Sequence, residues 1–386
     1  MDEERRNNFL KVLAVVTVFF LSFFLTSFSS ITDYSIIANI QRAFPEKVTP
    51  ESIKENYKQK PIRVLLVPGH DNEYGGAEFA GMKESDLALE TAKYLYEHFK
   101  YNPRFSIILT RDLSTGEYTE IFKEYFEKNK EDIKKFIDEK AVTMEKFLET
   151  GLVSENNSTS HKKASNNVRE RLYGINKWAN ENSIDIALHI HFNDYPGRKF
   201  NRAGKYSGFS VYVPELQLPN GRVSKEIGQS VVEELDMVFN KSDLPMEKDT
   251  LIETQELIAI GSRGSRDGAS VLVEYGYVYE PQFSDWYTRS IALKEMTYRT
   301  YRAISGYFDK EASVKLPVTS ILPFVSDVPN IESKDSSADV LKWQITLSIN
   351  GLYPPNGKTE NDCPLTGIFG PCTKTAIENM FSQIKN

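Results

Sequence analysis

Three side chains of this 386-residue chain stand where short apolar runs end, a fourth stands where a helical pattern begins, and their types suit the activation of a water molecule. His70 follows the run IRVLLV (62–67), His191 closes DIALHI (185–190), and Glu274 ends SVLVE (270–274). Glu84 lies 14 residues after His70, where a helical pattern begins. Two imidazoles and one carboxylate leave a tetrahedral Zn2+ one open position, which a water fills. A second carboxylate beside that water accepts its proton as it attacks an amide carbonyl. Spacing alone does not decide the matter, since nothing here has the compact H-E-x-x-H pattern. Taken singly, each residue has a plainer reading: a hydrogen-bonded histidine at a strand end, or a glutamate opposing the dipole at a helix start. Residues two apart on a strand share a face, so either His189 or His191 reaches a metal on spacing alone.

The elements that must position these groups alternate. Residues 62–67, 105–110, 185–190, 208–213 and 270–274 read as strands. Helical spacing covers about 85–100, 166–182, 223–240 and 284–308. This alternation predicts an α/β fold, a mostly parallel sheet with flanking helices. In such sheets ligand sites gather at the carboxyl ends of strands. All the candidate groups lie there or at the following helix.

Composition narrows the function classes. Lys plus Arg is 47 against 54 Asp plus Glu, a net charge of −7, so nucleic acid is not an expected partner. Two cysteines exclude a disulfide-rich scaffold and any four-thiolate zinc site. Five histidines make a short list for a histidine-bearing site.

At the N-terminus, Phe9–Ile31 is apolar apart from Lys11 and is long enough to cross a bilayer. A retained anchor is expected, with residues 1–8 cytoplasmic and the remainder exported; a cleaved signal segment is the alternative. Residues 32–60 read as a stalk, 61–309 as the catalytic unit, 310–335 as a linker and 336–386 as a small helical domain. An insertion, 112–165, interrupts the catalytic unit. Its apolar residues from Tyr118 to Leu148 form a broadly continuous helical stripe with Glu and Lys opposite. That stripe either packs on the flank of the domain or forms a lid that an activating partner pulls from the cleft.

Four segments carry a family resemblance: PGHDNEYGGAEFAGMKESDLALETAKYLYEHF, SIILTRD, RERLYGINKWANENSIDIALHIHFND and SVLVEYGYVYEP. In this order they resemble zinc-dependent N-acetylmuramoyl-L-alanine amidases. The resemblance implies a Zn2+ site of His70, Glu84 and His191, with Glu274 as catalytic carboxylate. It implies peptidoglycan as substrate, cut between the lactyl group of N-acetylmuramic acid and L-alanine. Where the family has a small S-x-H-x-N pattern, this chain has His189-Ile-His191-Phe-Asn193; the family register and Asn193 favour His191 as ligand. His189 then lies beside the site or is packed beneath it. Asp71 stands where a glycine is usual, and Tyr275 and Tyr277 are candidates to line the cleft or to pack in the core.

The C-terminal residues ADVLKWQITLSINGLYPPNG and TGIFGPCTKTAIENMF resemble a small peptidoglycan-binding domain. Cys363 and Cys372 lie within it and are candidates for a disulfide in an exported chain. The expected function is therefore a membrane-anchored cell-wall amidase. A zinc peptidase or carboxypeptidase acting on stem peptides, and a non-catalytic wall-binding regulator, are the alternatives.

Overall fold

The computed structural model describes residues 43–155, 164–195, 197–316, 318–320 and 337–384. The Phe9–Ile31 segment lies outside the described residues, as does His161. No helix among the described residues is long and apolar enough to cross a membrane.

In the first half of the chain, helix α1 (Pro50–Gln59) leads into β1 (Ile62–Pro68), and a short hairpin of β2 (Glu78–Phe79) and β3 (Met82–Lys83) leads into α2 (Glu84–Phe99). Strand β4 (Phe105–Leu109), helices α3 (Glu120–Lys128), α4 (Lys130–Glu149) and α5 (Asn166–Glu181), and β5 (Ile186–Asn193) follow. The second half holds β6 (Ser210–Pro214), α6 (Gly221–Asp236), β7 (Leu251–Thr254), β8 (Ala269–Tyr277), the one-turn α7 (Pro281–Ser284) and α8 (Trp286–Phe308). Helices α9 (Lys310–Lys315), α10 (Ala338–Ile349) and α11 (Pro371–Ile384) complete the described chain.

Six strands form one sheet in the order β4-β1-β5-β8-β6-β7. Every neighbouring pair is parallel except β6 with β8. Alternation along each strand feeds two cores. On one face, Val64, Leu66, Leu188 and Val271 pack with Leu87 of α2, Ile227 of α6 and Leu293 of α8. On the other, Leu65 and Val67 pack with Phe122 of α3 and with Ile175 and Trp178 of α5. Each such aliphatic side chain contributes roughly 1.5–3 kcal/mol on burial. Strand β1 therefore stands between helices on both faces, and its carboxyl end opens where connections diverge to β4 and toward β5, a switch point that favours a ligand crevice.

Two sequence expectations need correction, and the insertion takes the first of its two expected forms. The described part of the presumed stalk is packed: a Thr49–Ser52 capping box and Pro50 start α1, Ile53 is buried, and the Phe44 ring meets Phe147 edge-on at 4.9 Å. The insertion is two helices rather than one, broken at Asn129. Its stripe is spent on the domain flank, where Phe122, Ile133 and Ile137 are buried against α5 and Met144 is buried with Phe44 and Leu218. The start of the presumed linker is also seated. Arg299 and Glu295 of α8, both fully buried and paired at 2.9 Å, hold the Val318 carbonyl, the Thr319 hydroxyl and the Ser320 N–H.

Helix α10 contributes Leu341, Trp343 and Ile345, and α11 contributes Ala376 and Ile377, to the core that includes α8. Gln344 ties them together, donating to Ile368 O and Thr373 Oγ1 and accepting from the N–H groups of Thr366 and Gly367. Cys363 and Cys372 are joined in a disulfide.

Candidate metal centre and active site

Parallel pairing of β1 with β5 sets Val67 opposite His189. Two residues on, Gly69 donates its N–H to the Ile190 carbonyl at 2.8 Å. A Cβ at Gly69 would lie 2.5 Å from Cε1 of His191, so glycine is what lets that ring lie across the end of β1. The chain then turns at His70, whose φ of 59° is unusual for a residue with a side chain. Gly76, at φ +76°, brings the loop back: a Cβ there would meet Glu84 Oε2 at 2.5 Å and His70 Cδ2 at 2.7 Å.

Glu84 opens α2 with its carboxylate turned into this loop. Its Oε2 is 3.0 Å from His70 Nε2 and accepts the Ala77 N–H at 3.1 Å. Its Oε1 is 2.9 Å from His191 Nδ1 and accepts the Phe192 N–H at 3.3 Å. One potential ligand atom from each of His70, Glu84 and His191 lies within 4.8 Å of the others, a set able to hold a metal ion. Two imidazole nitrogens converging on one carboxylate is a donor set that suits a divalent cation of the zinc type.

The electrostatics agree with an anionic hub. Burial alone would raise the Glu84 carboxyl, but hydrogen bonds from His191 and His70 and their charge hold it well below the usual carboxylate range. For His70 burial acts downward, yet the Glu84 hydrogen bond and charge outweigh it and leave the imidazole raised.

Arg111, buried on the loop after β4, fastens together the segments that carry His70 and Glu84. Its guanidinium donates to the carbonyls of Gly69 and Ser85, each at 3.3 Å, and to Gly116 O at 2.8 Å. Asp71, the departure from the expected glycine, accepts from the N–H groups of Glu73 and Tyr74 and from Arg171 at 2.6 Å. Its carboxylate thus shapes the loop after His70 and anchors it to α5.

Glu274 is the register partner of His191 across β5 and β8. Its Oε2 is buried with no hydrogen-bond partner among the described residues. Burial first, then the negative charges of Glu84 and Glu247, raise its carboxyl well above the usual range. A carboxyl raised in this way can hold or release a proton beside a bound water.

The remaining sequence candidates divide. His189 lies one step deeper on the same face, between Val67 and Leu272 in register, with neither ring nitrogen hydrogen-bonded among the described residues. Burial, then the charges of His191 and Arg266, lower it to about 3, so it stays neutral. Asn193 donates to Glu247 at 2.6 Å, and Tyr277 reaches the same carboxylate at 3.3 Å. Tyr275 turns the other way, into the core beneath α8, where its hydroxyl meets Thr300 at 2.8 Å. The structure therefore does not bring Tyr275 to the cleft.

Sequence reasoning missed Glu247, which is buried and also accepts from Tyr212 at 2.7 Å, linking β5, β6 and β8. It lies in an irregular stretch with no local signal. Gly69, Gly76 and Arg111 were findable in principle, since they fall inside PGH, the Gly75-Gly76 pair and SIILTRD. A groove of about 800 Å3 between α6 and α8 contains none of these groups. Two of its arginines are paired, Arg222 with Glu51 and Arg302 with Glu234.

Residues 64–306 match the family model described as N-acetylmuramoyl-L-alanine amidase, well over half of the chain. The chain belongs to that family. The amidase is a cell-wall hydrolase that cleaves the amide joining N-acetylmuramic acid to L-alanine in peptidoglycan. No curated protein matches it. Among solved structures it is similar to an N-acetylmuramoyl-L-alanine amidase from Clostridium difficile 630, at 16% identity over 66% of this chain and 100% of that one, TM-score 0.41. It is also similar to the CwlD amidase of Clostridioides difficile in complex with the GerS lipoprotein, at 18% identity, 64% and 99% coverage and TM-score 0.43. The apo Ami1 amidase of Mycobacterium abscessus is matched at 14% identity, 65% and 100% coverage and TM-score 0.41.

Proposed function

We propose that the amidase works with one Zn2+ held by His70, Glu84 and His191, and that Glu274 is its general base and acid. The observation that carries this reading is the convergence of the three ligand atoms within 4.8 Å, with Glu274 opposite His191 in the ladder. When bound, the ion supplies Lewis-acid polarisation of the scissile carbonyl and activation of water. Glu274 takes a proton from the attacking water and returns it to the departing alanine nitrogen. Its buried setting keeps the carboxyl basic enough for the first transfer and acidic enough for the second. Arg111 and Gly76 hold the ligands in place, and Glu247 orients Asn193 at the edge of the cleft.

In the same reading, the α10–α11 unit binds the wall and the protein acts outside the cytoplasmic membrane, held by Phe9–Ile31. The disulfide supports an oxidising compartment. A regulatory partner acting on residues 112–165 would engage the charged outer face of α3 and α4, because their apolar stripe is already buried.

Incubation with purified peptidoglycan, read by mass spectrometry, tests the reaction. New lactyl carboxylates together with free L-alanine amines are expected. Shortened stems would make the protein a peptidase, and an unchanged wall would make it a non-catalytic binder. A chain ending after Ser320 should sediment less with whole sacculi than the full chain; equal sedimentation would remove the wall-binding role.

A further inference from the structure

The loop joining β5 to β6 carries a surface that the chemistry above does not use. Its base is fixed. Arg198 donates to both carboxylate oxygens of Asp194, at 2.6 and 3.0 Å, and to the Glu78 carbonyl at 2.7 Å. The same guanidinium lies 5.7 Å from the Phe79 ring centre and 5.4 Å from that of Tyr279. Gly204 crosses Tyr279 so closely that a Cβ would sit 2.3 Å from the phenol oxygen. From this anchored loop Phe200 projects with 68% of its surface exposed.

Between Phe200 and the β2–β3 hairpin is a cavity of about 460 Å3, lined by Glu78, Phe79, Ala80, Gly81, Phe200 and Asn201. That volume lies within the usual range for small-ligand sites, about 300–1,000 Å3. Both walls continue directly from the ligand-bearing segments: the hairpin runs into Glu84, and the loop departs from the strand that carries His191. Gly81 of the lining is three residues before Glu84, and Phe200 is nine residues after His191.

Building on the amidase reading, we propose that this cavity is a glycan subsite, taking a pyranose ring of the peptidoglycan strand adjacent to the muramic acid being cut. A pyranose has an apolar C–H face and a polar rim. Phe79 and Phe200 match the face, while the Glu78 carboxylate and the Asn201 amide offer an acceptor and donors to hydroxyl and N-acetyl groups. Glu78 is the charged member of the lining, which disfavours the anionic stem peptide there. A neutral sugar fits better.

The test compares two substrates of the full-length, zinc-loaded protein: a single N-acetylmuramoyl peptide, and a glycan oligomer bearing the same peptide. The wild type should show a higher kcat/KM on the oligomer. Phe200→Ala should shrink the long-to-short ratio of kcat/KM about tenfold, equivalent to about 1.4 kcal/mol. Phe200→Tyr, which keeps the ring, should preserve the ratio. A wild type that cuts both substrates equally well, or a ratio unchanged in Phe200→Ala, overturns the subsite. Release of peptide from neither substrate by the wild type would instead count against the amidase reading beneath it.

Discussion

The rim of the sheet and the layer just beneath it treat the same side chain in opposite ways. At the rim, His191 meets Glu84 at 2.9 Å, and Glu84 in turn meets His70. One step deeper on the same strand face, His189 is 1% exposed between Val67 and Leu272, with neither ring nitrogen hydrogen-bonded among the described residues. Both are histidines on one strand, two residues apart. What separates them is depth: the rim is where loops and a helix start deliver carboxylates, and the layer below receives aliphatic neighbours from β1 and β8. A buried imidazole without partners stays neutral because protonation would strand a charge in an apolar setting.

The comparison breaks most sharply at the ligands. His191→Ala should abolish metal binding and activity, while His189→Ala should retain stoichiometric metal at some cost in stability. Metal analysis of both purified variants decides it, and metal loss confined to His189→Ala would reverse the assignment. Next in size, Glu274→Gln keeps shape and removes basicity, so turnover should fall roughly 10²–10⁴-fold with metal content unchanged. Near wild-type turnover would remove its proton-transfer role.

The deeper layer has its own signature in pH. His189 has a folded-state value of about 3 against about 6.5 unfolded, so the unfolded chain binds more protons between those limits. Its contribution is fully present above pH ~6.5 and is lost as pH falls toward ~3, on the order of 5 kcal/mol. In metal-free protein, urea unfolding from pH 7 to 4 should show a shallower loss of stability for His189→Leu than for wild type. Parallel profiles would mean that His189 does not titrate on unfolding. The smallest effect belongs to the bracing of the rim. Arg111→Ala removes the donors to the Gly69 and Ser85 carbonyls and should weaken metal affinity roughly 10–100-fold, the range found for residues that orient ligands. Chelator competition measures it.

Much of the scaffold was legible because its strands are apolar runs bounded by turns. IRVLLV and FSIIL have that form, and so does the inner part of β8. Strand β7 escaped notice, being four residues of mixed character, and the two-residue strands β2 and β3 have no period to read. Helix α1 was missed in a polar stretch although Thr49-Pro50 and Ser52 carried a start signal. The insertion read as one stripe because Asn129 interrupts the backbone without interrupting the apolar spacing. In the site, the residue types at strand ends were visible, but their braces were not.

The sequence by itself determined which groups were available: a histidine after β1, a histidine and a carboxylate near the ends of two further strands, and a glutamate at a helix start, in segments ordered as in the amidases. Local patterning suffices for this, since it depends on neighbours within a few residues. Tertiary structure alone decided the meeting of Glu84 with His191, 107 residues away, and the separation of His191 from His189. It also decided that Gly69 and Gly76 leave room for the rings, that Arg111 joins two loops, and that Glu247 gathers three strands. Those outcomes rest on register and on backbone approach between distant segments, and a linear pattern of residues holds no record of either.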